Sequence, residues 1–137
     1  MTTQLTDVPI RSAEELTDRW KALLDPPTFD ARALWLMWLD DGRQLPLVIP
    51  VDGIPPVPDR GMFQGLLHLH EAVAAEHLTG EGHLAMALCR PGRAALDDDD
   101  HEWADALHDL LDDGRIDGTW SLHLAAGGQV VPLVDLS

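Results

Sequence analysis

Apolar positions fall along the chain in eight blocks, three with a helical period and five with the length and pattern of strands. In "RSAEELTDRWKALLDPP", residues 11 to 27, Ala13, Leu16, Trp20, Leu23 and Leu24 fall on one helical face. Ser12 and Glu15 have capping-box spacing, and Pro26 and Pro27 end the segment. "RALWLMWLD" is apolar on both faces from Leu34 to Leu39, which predicts a strand inside a sheet rather than at its margin. Asp41 to Arg43 reads as a hairpin turn into a second strand, "LPLVIPV". Pro46 and Pro50 place that strand at an edge or a bulge, because proline has no N–H for the ladder.

A rigid loop, "DGIPPVPD", leads to a second helix over "RGMFQGLLHLHEAVAAEHL", with an apolar arc of Met62, Phe63, Leu66, Leu67, Leu69, Val73 and Leu78. "TGEG" stops it, and "HLAMALCR" follows as a buried third strand, so that strand two, helix and strand three form a crossover of parallel strands. "DDDHEWADALHDLLDDG" is a third helix with a buried stripe of Trp103, Leu107, Leu110 and Leu111, ended by Gly114. In "TWSLHLA" the alternation puts Trp120, Leu122 and Leu124 inward and Thr119, Ser121 and His123 on a solvated face. Gly127 and Gly128 turn the chain into "QVVPLV", a last strand marked as an edge by Pro132. The order is α-β-β-α-β-α-β-β: an α/β fold with a single mixed β-sheet flanked by helices, in one domain over residues 1–137. Residues 1–28 form an N-terminal helix and linker, and 31–135 the core.

Composition narrows the function classes. The formal net charge of −15 repels a phosphate backbone and an anionic bilayer, so neither nucleic acid nor membrane is an expected partner. "MTTQLTDVPI" has no basic region followed by an apolar one, so no signal peptide is expected and a cytoplasmic location follows as the default. The one cysteine, Cys89, lies in an apolar run and leaves no disulfide framework or multi-cysteine zinc site.

The four aspartates Asp97 to Asp100 precede a clear apolar stripe. They read as the start of a helix, complementing its dipole, with Asp99 and Glu102 at capping-box spacing. Among the seven histidines, His68 and His70 are two apart on a helix and do not face one another. His101, Asp105, His108 and Asp112 share a polar face. His70 and His77 instead fall within the apolar arc of the second helix, at the margin of the core, where a partner interface or ligand pocket would use them. No nucleophile elbow, phosphate loop or dinucleotide fingerprint appears.

Taken together, "RALWLMWLDDGRQLPLVIPV", "GMFQGLLHLHEAVAAEHL", "HLAMALCRPG", "LDDDDHEWADAL" and "TWSLHLAAGGQVVPL" resemble, over residues 31 to 135, the JAB/MPN metalloprotease domain in its bacterial RadC-like form. The resemblance implies a JAB/MPN- or deaminase-like three-layer arrangement. It also implies a zinc site made by H-x-H at the end of the third strand and S-x-x-D at the next helix, with an upstream glutamate as general base. Matched on Pro91 and Gly92, the two histidines fall on Leu88 and Arg90. With one loop residue deleted, the serine falls on Asp97 and the aspartate ligand on Asp100. Neither hairpin strand holds a glutamate.

A catalytic zinc needs three protein ligands and an open position, and this set keeps one. The expectation is a metal-free, cofactor-free pseudoenzyme acting as a binding or scaffolding module for a protein partner, with a homodimer left open. Leu88, Arg90, Arg93, Asp97 and Asp100 mark its vestigial or ligand-binding site, where Arg90 pairs with Asp97 or Asp100 in a partly exposed ion pair. The alternative is an enzyme, a hydrolase, or a small-ligand sensor using the crevice near Arg90, Asp97 and Asp100, where open α/β sheets place ligands.

Overall fold

The computed structural model describes residues 13–26, 28–41, 43–55, 58, 60–78, 82–111 and 119–134. Ser12, Pro27, Asp112 and Gly114, singled out above, lie outside the described residues. The elements are α1 (Ala13–Leu23), β1 (Ala33–Asp40), β2 (Arg43–Asp52), α2 (Arg60–His77), β3 (Gly82–Cys89), α3 (Asp98–Leu111), β4 (Thr119–Ala126) and β5 (Gln129–Val134). They form one five-stranded mixed sheet in the order β2-β1-β3-β4-β5.

β1 pairs antiparallel with both β2 and β3, β3 pairs parallel with β4, and β5 closes antiparallel on β4. β2 and β3 therefore run the same way, as the crossover reading expects, but β1 lies between them. The directly bonded parallel pair is β3–β4, linked through α3. The proline-bearing strands β2 and β5 are the two edges, where missing N–H donors cost no ladder bond and discourage further strand pairing.

Side-chain size differs between the two faces of the sheet. On one face Leu84, Met86 and Leu88 of β3 and Trp120, Leu122 and Leu124 of β4 meet α2 through Phe63, Leu66 and Val73, and α3 through Trp103, Leu107 and Leu111. Phe63 and Trp103 make an edge-to-face contact, with centroids 5.6 Å apart, that ties the two helices together. On the other face the apolar side chains of β3 are the small Ala85, Ala87 and Cys89, and β4 adds Ala125. These small residues let the single helix α1 bring Leu16, Trp20 and Leu24 down onto the sheet.

That second layer corrects the reading of β4 as a half-solvated strand. Ser121 and His123 are buried, because α1 covers the face assigned to water. Period-two alternation reports polarity, and here the polar side chains are hydrogen-bonded inside the protein rather than hydrated. His123 Nε2 is 2.8 Å from Thr17 Oγ1 of α1, and His83 Nε2 is 2.8 Å from Ser121 Oγ. Arg19 Nη1 donates to Gln44 Oε1 of β2, so α1 is fastened to strands on both sides of β1 and β3. No described helix is long and apolar enough to cross a membrane.

Candidate functional site: the strand end at Arg90

The carboxyl end of β3 is where this topology would hold a ligand, and the chain spends its polar groups there on itself. The apolar run ends at Arg90, and Pro91 and Gly92 turn the backbone away, Gly92 with a φ of 92°. The Arg90 N–H donates to Ala125 O of β4 at 3.2 Å, which anchors the first residue beyond β3 to the neighbouring strand. Across the loop the β4–β5 turn presses in. A Cβ on Gly127, whose φ is 55°, would stand 2.9 Å from Gly92 O and 3.2 Å from Arg93 Cα, so only glycine fits.

Arg90 is 4% exposed and Asp100, in the first turn of α3, is 0% exposed. They form a two-pronged pair: Arg90 Nε donates to Asp100 Oδ1 at 2.8 Å, and Nη2 donates to Oδ2 at 2.7 Å. Arg90 Nη1 also donates to Pro91 O at 3.0 Å, and Nη2 to Ala95 O at 2.8 Å. The guanidinium thus ties both ends of the β3–α3 loop to the helix. Asp100 Oδ2 accepts a further bond from Asp97 N at 3.1 Å. The pair expected to be partly exposed is in fact buried, which changes its energetics. A buried charge without its partner is costly, whereas a fork-to-fork pair with its remaining hydrogen bonds made is tolerated.

The electrostatics follow. Burial alone would raise the carboxyl pKa of Asp100, but hydrogen bonds from Arg90 and from the Asp97 backbone, with the guanidinium charge, outweigh it and hold it below the ordinary value. The Asp100 hydrogen bond, against some desolvation, raises Arg90 further. Both groups are therefore ionised at neutral pH.

The other predicted residues lie close by in different roles. Leu88 is 0% exposed and packs among the side chains beneath α2 and α3. Arg93 is exposed on the loop. Asp97 is exposed, 3.8 Å from Arg90 Nη2, and caps α3 by accepting from Asp100 N at 2.9 Å. The helix cap is thus Asp97 with Asp100, which corrects the pairing of Asp99 with Glu102. Asp99 instead stands 3.7 Å from Arg32.

His70 and His77 part company. His70 is buried on α2 and accepts a 3.0 Å hydrogen bond at Nδ1 from Trp38 Nε1. Burial lowers its pKa, partly offset by Glu71. His77, in the last turn, is exposed beside Glu76, which corrects its placement within the arc; the next residue, Leu78, is the one that packs against the core.

Sequence reasoning missed the layer of Thr17, His83, Ser121 and His123. The signal was present in β3, where His83, Ala85, Ala87 and Cys89 alternate with large side chains and so mark a second covered face. Burial, and secondarily the nearby His123, pushes the His83 pKa down to about 4. Ser121 and His83 stand at a distance suited to a nucleophile and its base. Ser121 is 0% exposed beneath α1, however, so no substrate reaches it. Burial likewise pushes the Cys89 thiol up to about 12, leaving it inert.

Among the described residues, no group of three or more histidine, cysteine, aspartate or glutamate side chains is arranged to hold a metal ion. The sequence matches no known protein-family model and no curated protein.

Proposed function

We propose that this chain is a non-catalytic binding or scaffolding module with a JAB/MPN-like, RadC-like layout, whose former metal-site end is held shut by an ion pair. The observation that carries this reading is the engagement of Asp100. Its position is the one metal-ligand position retained in the resemblance, yet both its oxygens accept from the Arg90 fork and its side chain has no exposed surface. A cation there would have to displace a guanidinium from a buried carboxylate and break its bonds to the loop carbonyls of Pro91 and Ala95. Arg90 stands at another ligand position and repels a metal. With the nucleophile–base pair sealed beneath α1 and the Arg90 end closed, recognition through the outer surface is the function this reading assigns to the fold. The strongly acidic balance favours a protein partner over nucleic acid or an anionic bilayer.

The test is metal loading. Purified protein, incubated with excess zinc chloride and then desalted, is expected to retain far less than one zinc per chain by elemental analysis. Retention near one zinc per chain, abolished by Asp100→Asn, would overturn the reading.

A further inference from the structure

Beside the sealed polar end lies an apolar hollow, and the two share one edge of the core. It has a volume of about 310 Å³ and is lined by Leu34, Val51, Met62, Gly65, Leu66 and Leu69. Leu34 pairs with Val51 of β2 on one side and with Leu88 of β3 on the other. The hollow therefore stands where β2 and β3 finish and α2 begins, the end of an open α/β sheet at which ligands bind.

We propose that this hollow binds a neutral, hydrophobic small molecule, an alkyl chain or fused-ring group. Size sets the first limit. An apolar cavity of roughly 150 Å³ accommodates benzene, so this one suits about twelve non-hydrogen atoms. The chemistry of the lining sets the second. None of the six residues offers a side-chain donor, and the one acceptor is the weak thioether of Met62, so a polar group carried to the floor would lose its water with little replacement. A peptide laid in the hollow would bring backbone N–H and C=O groups to that surface. The adjacent edge strand is a poor template for them, because Pro46 and Pro50 remove two of its donors.

Charge sets the third limit. At −15, a second copy or an anionic lipid tail would approach against repulsion. The one large hydrophobic side chain exposed among the described residues, Leu96, sits beside Asp97, Asp98 and Asp99 and makes a poor plug for a neighbour's hollow.

Gly65 is the independent observation. It lies inside the 18-residue helix α2, where glycine is destabilising relative to alanine. A Cβ there would meet nothing within 4 Å, so the packing of this chain does not require the glycine. The glycine instead leaves the α2 backbone bare on the wall of the hollow, where an occupant can approach it. The inference does not depend on the JAB/MPN likeness, because the lining residues include none of those matched to its metal site.

The experiment titrates the full chain with n-decanol by calorimetry, and in parallel with the ten-carbon diol bearing a hydroxyl at each end. Saturable binding of one decanol per chain is expected, with a negative heat-capacity change and at least tenfold weaker binding of the diol. Gly65→Leu should weaken decanol binding at least tenfold without lowering the melting midpoint. Gly65→Ala should raise that midpoint. Leu69→Lys, which puts a charge at the rim, is a second blocking variant should Gly65→Leu fail to fold. Absence of saturable decanol binding, or equal binding by wild type and a folded blocking variant, would overturn the proposal. So would light scattering that shows a wild-type dimer made monomeric by Gly65→Leu, because the occupant would then be a second copy. Zinc retention bears on none of these outcomes.

Discussion

Asp97 and Asp100 cap each other: each carboxylate accepts a hydrogen bond from the other's backbone N–H, at 2.9 and 3.1 Å. This is a capping box with aspartate in both places, at the positive end of the α3 dipole. Of the four consecutive aspartates, only these two have a local structural duty at the cap. Asp97→Ala is expected to cost about 0.5 to 2 kcal/mol in urea melts. Asp98→Ala and Asp99→Ala should fall within about 0.5 kcal/mol of wild type, the Asp99–Arg32 contact being long, at 3.7 Å, and only partly shielded from water. Equal costs at all four positions would contradict the assignment.

Acid should destabilise the protein in two separate windows. His83 is held at about 4, below the ordinary 6.5 for histidine, so between those values the unfolded chain binds the proton that the folded one refuses. Stability present above pH 6.5 is therefore lost as pH falls towards 4, by about 3 kcal/mol for a shift of this size. His70, also lowered, adds in the same direction. Asp100 acts later. Its folded pKa lies below 3.8, so its contribution is complete above that value and is lost only as pH falls further. Denaturant midpoints measured from pH 7 to pH 3 should decline in the upper window for wild type and less for His83→Gln.

Cys89 should be silent in the folded protein. It has no exposed surface, and its thiol is raised to about 12. An aromatic disulfide reagent at pH 8 is expected to modify it no faster than the chain opens, and rapidly in denaturant. Fast modification under native conditions would mean that α1 lifts readily from the sheet.

Much of this architecture was legible from the pattern of residues alone, for identifiable reasons. The prolines at 46, 50 and 132 name edge strands because a missing N–H is tolerated only there. The unbroken run from Leu34 to Leu39 signals an interior strand because both its faces must be covered. The second face of β4 was not legible: Ser121 Oγ and His123 Nε2 find their partners in His83 and Thr17, residues 38 and 106 positions away in sequence. The depth of Arg90 was hidden for a related reason. An arginine after a strand ordinarily reaches solvent, and only the approach of Gly127 over the loop and the fork of Asp100 from α3 enclose it. His77 misled because helical spacing does not show which side chain of a last turn meets the core; here it is Leu78.

The central claim is that Arg90 and Asp100 form a buried closure rather than a site awaiting a ligand, and a double-mutant cycle tests it most directly. Arg90→Met and Asp100→Leu each strand a charge inside the protein, and each should cost about 3 to 5 kcal/mol in denaturant melts. The double variant removes both charges, so it should be no less stable than the worse single variant and far more stable than the sum of the two losses implies. Single variants that each lose less than about 1 kcal/mol, with a double equal to their sum, would show the two residues acting independently, as they would in an open, solvated crevice.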